Sequence, residues 1–253
     1  GSRCRDPFGE ASPGRRGAMY EVRAVFTDST VRVYQAYSEE IASVAVEHQR
    51  FVAPWSAERM TWIKPSAAWM GYRSGWSLKD RNQARVLAVD LHREGFEWLL
   101  ATARLAARQE GKGLADVVVQ WDPERGLGGD AGKNARTRPL PWQRSLQMGL
   151  RGAATRKYAE ELVAGITDVT ELFAAAGQRL AEGDVEGAAA LLPRETVYPL
   201  SPELRILRDL SPEGAHPVRG RRSEPAEGGE GAAGDAEADP RRAGGTAASP
   251  PGQ

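Results

Sequence analysis

The sequence predicts a single α+β domain of about six mostly antiparallel strands, with inserted helices and a helical C-terminal third. Two short segments, residues 21–26 and 31–37, alternate polar and apolar residues as half-buried strands do. Apolar residues recur at helical spacing across residues 94–108 and again across residues 153–182. Strands with helices inserted between them, followed by a helical segment, are typical of the α+β class.

The composition divides the 253-residue chain into a central domain and two flanking segments. Residues 1–18 are mostly Arg, Gly, Ser and Pro, and we expect a disordered leader before Met19. Residues 211–253 are rich in Gly, Ala, Pro, Glu and Arg, and have almost no large apolar side chains to offset the entropy of ordering. We therefore expect residues 19–210 to form the globular domain and residues 211–253 to be a disordered tail.

Charge and cysteine content exclude several classes of protein. The 34 Lys and Arg residues balance 34 Asp and Glu residues, so any anion-binding site must be local. The single cysteine, Cys4, excludes a disulfide within the chain and a thiolate metal cluster. No apolar run approaches the ~20 residues that span a bilayer. We expect a soluble cytoplasmic protein with no membrane partner and no metal.

Motifs of several familiar enzyme classes are absent from the sequence. It has no Gly-rich phosphate loop ending in Lys-Ser or Lys-Thr, no Gly-x-Gly-x-x-Gly that follows a predicted strand and no Gly-x-Ser-x-Gly. The three histidines are scattered and show no metal-ligand spacing. Any catalytic site must therefore use other residue types.

The N-terminal half is predicted to begin with two strands and a helix. Residues 21–26 and 31–37 are expected to pair as a β-hairpin around a turn at Asp28. Ser38, which two glutamates follow, is expected to begin a helix that ends before Pro54.

A third strand, residues 59–64, is predicted to lead directly into a short helix. Ser66 is the expected N-cap of this helix, and Gly75 is placed to end it in the left-handed conformation. A polar turn over residues 79–83 follows.

The middle of the chain is predicted to contain three more strands. Residues 85–91, 117–121 and 144–150 are apolar enough to be strands, and a helix over 94–108 separates the first two. The seventeen residues 123–139 are rich in Gly, Arg and Lys and are expected to form a mobile loop.

The C-terminal third is predicted to be helical. Residues 153–182 are expected to form one or two helices, interrupted near Asp168 by a helix N-cap. Residues 185–192 are expected to form a short final helix before Pro193.

Residues 59–76 hold the densest group of candidate site residues. They place three tryptophans among three cationic residues: Arg59, Trp62, Lys64, Trp69, Arg73 and Trp76. A buried indole N–H needs a partner and a buried guanidinium needs several. This mixture therefore indicates a binding site.

Lys64 ends a predicted strand just before a helix start, where backbone N–H groups and the helix dipole favour an anion. With Ser66 at the cap and Arg73 one to two turns later, these residues are a candidate phosphate-binding site. The alternative is that Lys64 satisfies carbonyls at the strand end. Trp69 and Arg73 share one face of the predicted helix, which suits stacking of a base or a nicotinamide ring.

Polar residues within predicted strands supply further candidates. Arg23 lies between apolar neighbours and faces either a site or the solvent. Gln35 lies between Tyr34 and Tyr37, and Gln147 lies among apolar residues of a late strand. A buried glutamine has up to four hydrogen-bond positions to satisfy, so it usually has a partner or a ligand.

Motifs along most of the chain point to one family. Arg-Met-Thr-Trp-Ile-Lys-Pro-Ser is followed by Trp-Met and by Tyr-Arg-Ser-Gly-Trp, and later by Val-Gln-Trp-Asp-Pro-Glu-Arg and Arg-Ser-Leu-Gln-Met-Gly-Leu. These motifs resemble an uncharacterised family, domain-of-unknown-function family 4291, over about residues 20–200. The family pattern usually has Phe after Pro-Ser where this chain has Ala67, so a ring expected to line the pocket is missing.

A weaker similarity concerns the order of the candidate site residues along the predicted strands and helix. An Arg on the first strand, Thr-x-x-Lys-Pro-Ser leading into a helix and a Gln on a late strand resemble ADP-ribosyltransferase folds. This resemblance implies NAD as cofactor, Arg23 at its phosphate or ribose, and Gln147 near the transfer centre. Many of those enzymes carry Glu at that place, and a neutral amide stabilises oxocarbenium character less than a carboxylate does.

The implied residues form one catalytic and one cofactor-binding set. The catalytic set is Gln147 and Arg23. The cofactor-binding set is Gln35, Tyr37, Thr61, Trp62, Lys64, Ser66, Trp69, Arg73 and Trp76.

Two other functions remain open on the sequence alone. The Trp and Arg mixture, together with the basic segment 125–138, also suits a nucleotide or nucleic-acid binding module without catalysis. In a purely structural or partner-binding domain, the tryptophans would instead belong to the core.

Overall fold

The computed structural model describes residues 20–77, 80–106, 115–129 and 136–200. The expected leader and the expected tail lie outside these residues. Within them the protein is α+β, as the sequence predicts, and no described helix is long and apolar enough to cross a membrane.

The described residues contain nine strands, of which six have three residues or more. They are β1 (Arg23–Ala24), β2 (Thr30–Tyr37), β3 (Thr61–Ile63), β4 (Arg85–His92), β5 (Arg104–Leu105), β6 (Val117–Leu127), β7 (Thr137–Leu150), β8 (Val163–Asp168) and β9 (Thr196–Val197).

Six α-helices accompany these strands in the described residues. They are α1 (Glu39–His48), α2 (Ala67–Ser74), α3 (Arg93–Thr102), α4 (Ala153–Lys157), α5 (Thr170–Ala181) and α6 (Val185–Leu191). A 3-10 turn at Arg81–Gln83 precedes β4, and a π-helical turn at Tyr158–Leu162 follows α4.

The strands form three small sheets. Their orders are β1-β9, β2-β4-β8 and β3-β7-β6-β5, and every pair is antiparallel except β5 with β6. The second and third sheets meet where the Tyr34 N–H donates to the Lys64 carbonyl at 2.7 Å. This bridge holds the end of β3 beside β2, just before α2 begins.

Trp76 lies in one of two hydrophobic clusters. It is 2% exposed and its ring centroid lies 6.0 Å from that of Phe173 on α5. The ring packs directly on Gly71 and Gly177, where an added Cβ would lie 2.6 Å and 2.5 Å from Trp76 atoms. The indole therefore fixes the C-terminal end of α2 against α5.

The predicted N-terminal hairpin is present only as a tight turn. The Thr27 N–H donates to the Thr30 carbonyl at 2.9 Å, and Phe26 bridges Val31. β1 itself pairs with β9 from the far end of the described chain, and β2 pairs with β4. A sequence pattern favours local pairing and carries no signal for these distant partners.

The predicted mobile loop over residues 123–139 was wrong for the described part of that range. β6 continues through Pro123 to Leu127, and β7 already begins at Thr137; only residues 130–135 lie outside the described residues. The register shifts between Pro123 and Glu124, so the strand tolerates a proline at an irregularity of the ladder.

Two helix predictions were also wrong in part. Residues 163–168 form β8, paired with β4, instead of helix; only Ile166 is buried there, so the strand lacks an alternating apolar pattern. The helix expected over 94–108 ends at Thr102, because Arg104 and Leu105 pair with β6.

Candidate functional site

A cleft of about 470 Å³ opens between α2 and the facing ends of the second and third sheets. Eight of the eleven predicted site residues line it: Gln35, Tyr37, Thr61, Trp62, Lys64, Trp69, Arg73 and Gln147. The other three, Arg23, Ser66 and Trp76, do not. Residues from β2, β3, α2 and β7 therefore converge although they are far apart in sequence.

Lys64 is the most constrained cation in the cleft. It is 7% exposed, and its ammonium donates to the Trp62 carbonyl at 3.3 Å and lies 5.7 Å from the Trp69 ring centroid. No carboxylate among the described residues lies within ion-pair distance of it. The carbonyl contact agrees in part with the strand-end alternative, but a single neutral acceptor does not compensate a buried charge.

The electrostatic environment disfavours the charge on Lys64. Burial, and then the positive charge of Arg73, lower the pKa of its ammonium to about 8, while Asp122 opposes the change. The ammonium is still mostly protonated at neutral pH. It is therefore a cation held at an energetic cost, and an anionic ligand would relieve that cost.

Trp69 and Arg73 extend the cleft along α2. Trp69 is 8% exposed, and its indole N–H has no hydrogen-bond partner among the described residues. Arg73, one turn later, is exposed and donates to Gln83 Oε1 at 3.1 Å. The helix thus presents an apolar ring with an unused donor beside a cation at the mouth of the cleft.

Sequence reasoning missed the cleft's carboxylate, Asp122. Gln120 and Gln147 face each other across β6 and β7, and the Nε2 atoms of both donate to Asp122, the first at 3.0 Å. The strand predicted over residues 117–121 stops before Asp122, whereas β6 continues through it to Leu127. Its position two residues after Gln120 on a strand was the available signal, since alternate residues share a face.

Arg59 belongs to the candidate stretch 59–76 but was assigned to neither the catalytic nor the cofactor-binding set. It is exposed and lines the cleft. Together with Lys64 and Arg73 it gives the cleft three cations against the one carboxylate among its described lining residues. The local charge is therefore positive in a chain whose formal net charge is zero.

Ser66 and Arg23 contact an acidic cluster beside the cleft, which consists of Glu124 and Glu195. The Ser66 hydroxyl donates to Glu124 Oε1 at 2.9 Å and accepts from the Trp69 N–H at 3.1 Å, which confirms its predicted role as N-cap of α2. Glu195 Oε1 accepts from the Ala67 N–H at 2.7 Å, and Arg23 donates to the Glu195 carbonyl at 3.2 Å. The start of α2, where a phosphate was expected, is therefore occupied by a protein carboxylate.

The negative charges of the two carboxylates in this cluster repel each other. Burial, and then the charge of Glu124, raise the pKa of Glu195 to about 8, while the Ala67 N–H and Arg23 oppose the change. Burial also raises the pKa of Glu124, against the hydrogen bonds from Arg125 and Ser66. At neutral pH the pair tends to hold a proton.

Ala67 packs away from the cleft. It is 1% exposed and belongs to the same hydrophobic cluster as Trp76. The phenylalanine ring of the family pattern would enter that cluster at this position. The departure from the family pattern therefore concerns the packing of α2.

The family assignment follows from the extent of the sequence match. The model of a domain of unknown function, DUF4291, matches residues 21–198, which include all the elements that line the cleft. The chain belongs to the DUF4291 family. No curated protein matches the chain.

We expect Lys64→Met to stabilise the protein at pH 7 by ~2 kcal/mol, because the variant buries no charge. The free energy of unfolding is measured by urea denaturation between pH 7 and pH 10. Between pH 8 and pH 10 the unfolded lysine keeps its proton while the folded one loses it, so the wild type gains stability. The difference in free energy of unfolding between Lys64→Met and the wild type therefore narrows as pH rises. If Lys64→Met were less stable than the wild type, or if their difference in stability did not change with pH, Lys64 would not be a buried ammonium with a lowered pKa.

We expect Glu195→Gln to become increasingly stabilising as pH rises from 5 to 8. The wild type loses stability over this range because its unfolded carboxyl ionises near its ordinary pKa while the folded one keeps its proton to about pH 8. Gln can still accept from the Ala67 N–H. The exposed Glu47→Gln serves as the control; equal pH profiles for the two variants in thermal unfolding would disprove the expectation.

Proposed function

We propose that this member of the DUF4291 family binds a phosphorylated nucleotide in the cleft, with NAD as the first candidate, and acts as an ADP-ribosyltransferase-like enzyme. The observation that carries the proposal is the buried Lys64 ammonium, which has no anionic partner among the described residues. Buried charges are normally paired, and a phosphate would supply the missing partner.

The size and lining of the cleft suit such a ligand. Pockets for small molecules are commonly ~300–1,000 Å³ and combine apolar walls with a few polar groups. Trp62 and Trp69 offer faces for an aromatic ring, and Arg59 and Arg73 stand at exposed positions where diphosphate oxygens could be held.

Asp122 supports a role in group transfer. In the proposed reaction the bond between nicotinamide nitrogen and ribose C1′ breaks, and nicotinamide leaves with the bonding electron pair. A nucleophile on the acceptor then bonds to C1′ and loses its proton. A carboxylate near the ribose would stabilise the positive charge that develops there.

Gln147 has a positioning role in this proposal. It is 4% exposed and donates to Asp122, as does Gln120 from the neighbouring position on β6. The two amides hold the carboxylate in one orientation. Asp122 would thus supply the negative charge that a glutamine at position 147 lacks.

A nucleotide or nucleic-acid binding module without catalysis is the second candidate. The described arginines of the basic segment favour it less, because they have partners within the protein. Arg136 donates to the Gly177 carbonyl at 3.1 Å, Arg138 donates to the Leu127 carbonyl at 3.1 Å, and Arg125 lies 3.4 Å from the Tyr72 ring centroid.

The test is calorimetric titration of NAD combined with an assay of nicotinamide release. We expect the wild type to bind NAD and Lys64→Met to bind it at least tenfold more weakly, since one charge-assisted contact contributes ~1.5–3 kcal/mol. Asp122→Asn should retain binding but release nicotinamide roughly 100-fold more slowly, as loss of a single electrostatic stabiliser does in other enzymes.

Lys157→Met is the matched control, because Lys157 pairs with Glu161 outside the cleft. It should leave NAD binding unchanged. Absence of NAD binding by the wild type would overturn the proposal. Salt-sensitive binding of single-stranded RNA without nicotinamide release would favour the second candidate instead.

A further inference from the structure

The Thr61 hydroxyl is the meeting point of two hydrogen-bond chains in the cleft wall. Gln35 Nε2 lies 2.6 Å from Thr61 Oγ1, and the Tyr37 hydroxyl lies 3.1 Å from it. Thr61 is 8% exposed and lines the cleft. The direction of each hydrogen bond decides what this hydroxyl presents to a ligand.

The first chain fixes Gln35 as a donor to Thr61. Its Nε2 also donates to the Trp62 carbonyl at 3.3 Å, and its Oε1 accepts from the Tyr158 hydroxyl at 2.5 Å. A carbonyl can only accept, so the amide nitrogen must face Trp62 and Thr61. Both N–H groups of Gln35 are then used, and Thr61 accepts one of them.

The second chain directs the Tyr37 proton toward Thr61. The Trp55 indole N–H donates to the Tyr37 oxygen at 3.0 Å, and an indole can only donate. This bond polarises the phenol, which is already more acidic than an aliphatic alcohol. The favoured order of donation is therefore Trp55 to Tyr37 to Thr61.

These directions leave Thr61 as a donor only. Its oxygen accepts from Gln35 and from Tyr37, which uses both lone pairs. With the Tyr37 proton directed to Thr61, the Thr61 proton has no other acceptor among the described residues, and a buried donor without a partner is unfavourable. An acceptor on a ligand in the cleft would complete the network.

We propose that Thr61 is a specificity-determining residue, whose hydroxyl donates a hydrogen bond to an oxygen of the nucleotide bound in the cleft and disfavours ligands that place a donor there. The inference rests on the proposed function, because it needs a nucleotide in this cleft. Two oxygens of NAD have the required chemistry, the carboxamide oxygen of nicotinamide and an oxygen of the diphosphate. Both are acceptors at such a contact.

The experiment measures the affinity of NAD and of ADP-ribose for the wild type, Thr61→Val and Thr61→Ser. Valine keeps the shape of threonine but has no hydroxyl, whereas serine keeps the donor. We expect Thr61→Val to bind NAD roughly tenfold more weakly, as loss of one hydrogen bond predicts, and Thr61→Ser to bind within about twofold of the wild type. Weakening of NAD binding alone would identify the carboxamide oxygen, and equal weakening of ADP-ribose binding would identify a diphosphate oxygen.

Unchanged affinity of Thr61→Val for both ligands would overturn this inference and leave the proposed function intact. Failure of the wild type to bind either ligand would overturn the proposed function and this inference with it. Thermal unfolding without ligand checks that each variant is folded. If Thr61→Val does not unfold cooperatively, Thr61→Ala is used in its place, because its smaller side chain leaves room for a water that accepts from Gln35. The same roughly tenfold loss of NAD affinity is expected for Thr61→Ala.

Discussion

The burial of the Lys64 ammonium at the end of β3 is the constraint on which the candidate site depends. Its backbone carbonyl accepts from Tyr34 and so joins two sheets, and the chain turns into α2 immediately afterwards. The side chain is consequently held where β2, β3 and α2 converge, away from solvent. A lysine that only satisfied carbonyls at a strand end would not need this degree of burial, which makes the buried charge of Lys64 the most informative feature of the cleft.

The acidic cluster at the start of α2 limits where the anion of the proposed function could bind. Backbone N–H groups at a helix N-terminus are the usual place for a phosphate. Here Glu195 accepts from the Ala67 N–H, and Ser66 accepts from the Trp69 N–H. With these donors already used, the buried cation of the cleft beside α2 is Lys64, which precedes the helix, and the exposed one is Arg73 in its last turn. The N-terminal end of α2 is therefore fixed by the Glu195 carboxylate, while Arg73 near its other end is exposed.

Local features of the site could be predicted from the sequence, and distant ones could not. The Ser66 cap, the left-handed Gly75 and the cleft positions of Trp62, Lys64, Trp69 and Arg73 follow from residues within one short stretch. Gln35 and Gln147 could be recognised because a polar side chain within an apolar strand is unusual. Three features instead depend on pairing between distant strands. They are the partnership of β1 with β9, the strand β8 and the carboxylate of Asp122, which reaches the cleft only because β6 continues through Pro123.

In the proposed function, Lys64 is a buried cation whose charge an anionic ligand would neutralise. The most direct measurement is the pKa of its side-chain nitrogen, followed by NMR in protein labelled with 15N-lysine and assigned with Lys64→Met. We expect a pKa of about 8 in the free protein. We also expect the pKa to rise when NAD binds, because a nearby phosphate stabilises the protonated form. An ordinary lysine pKa near 10.5 in the free protein, or no change with a bound nucleotide, would contradict it.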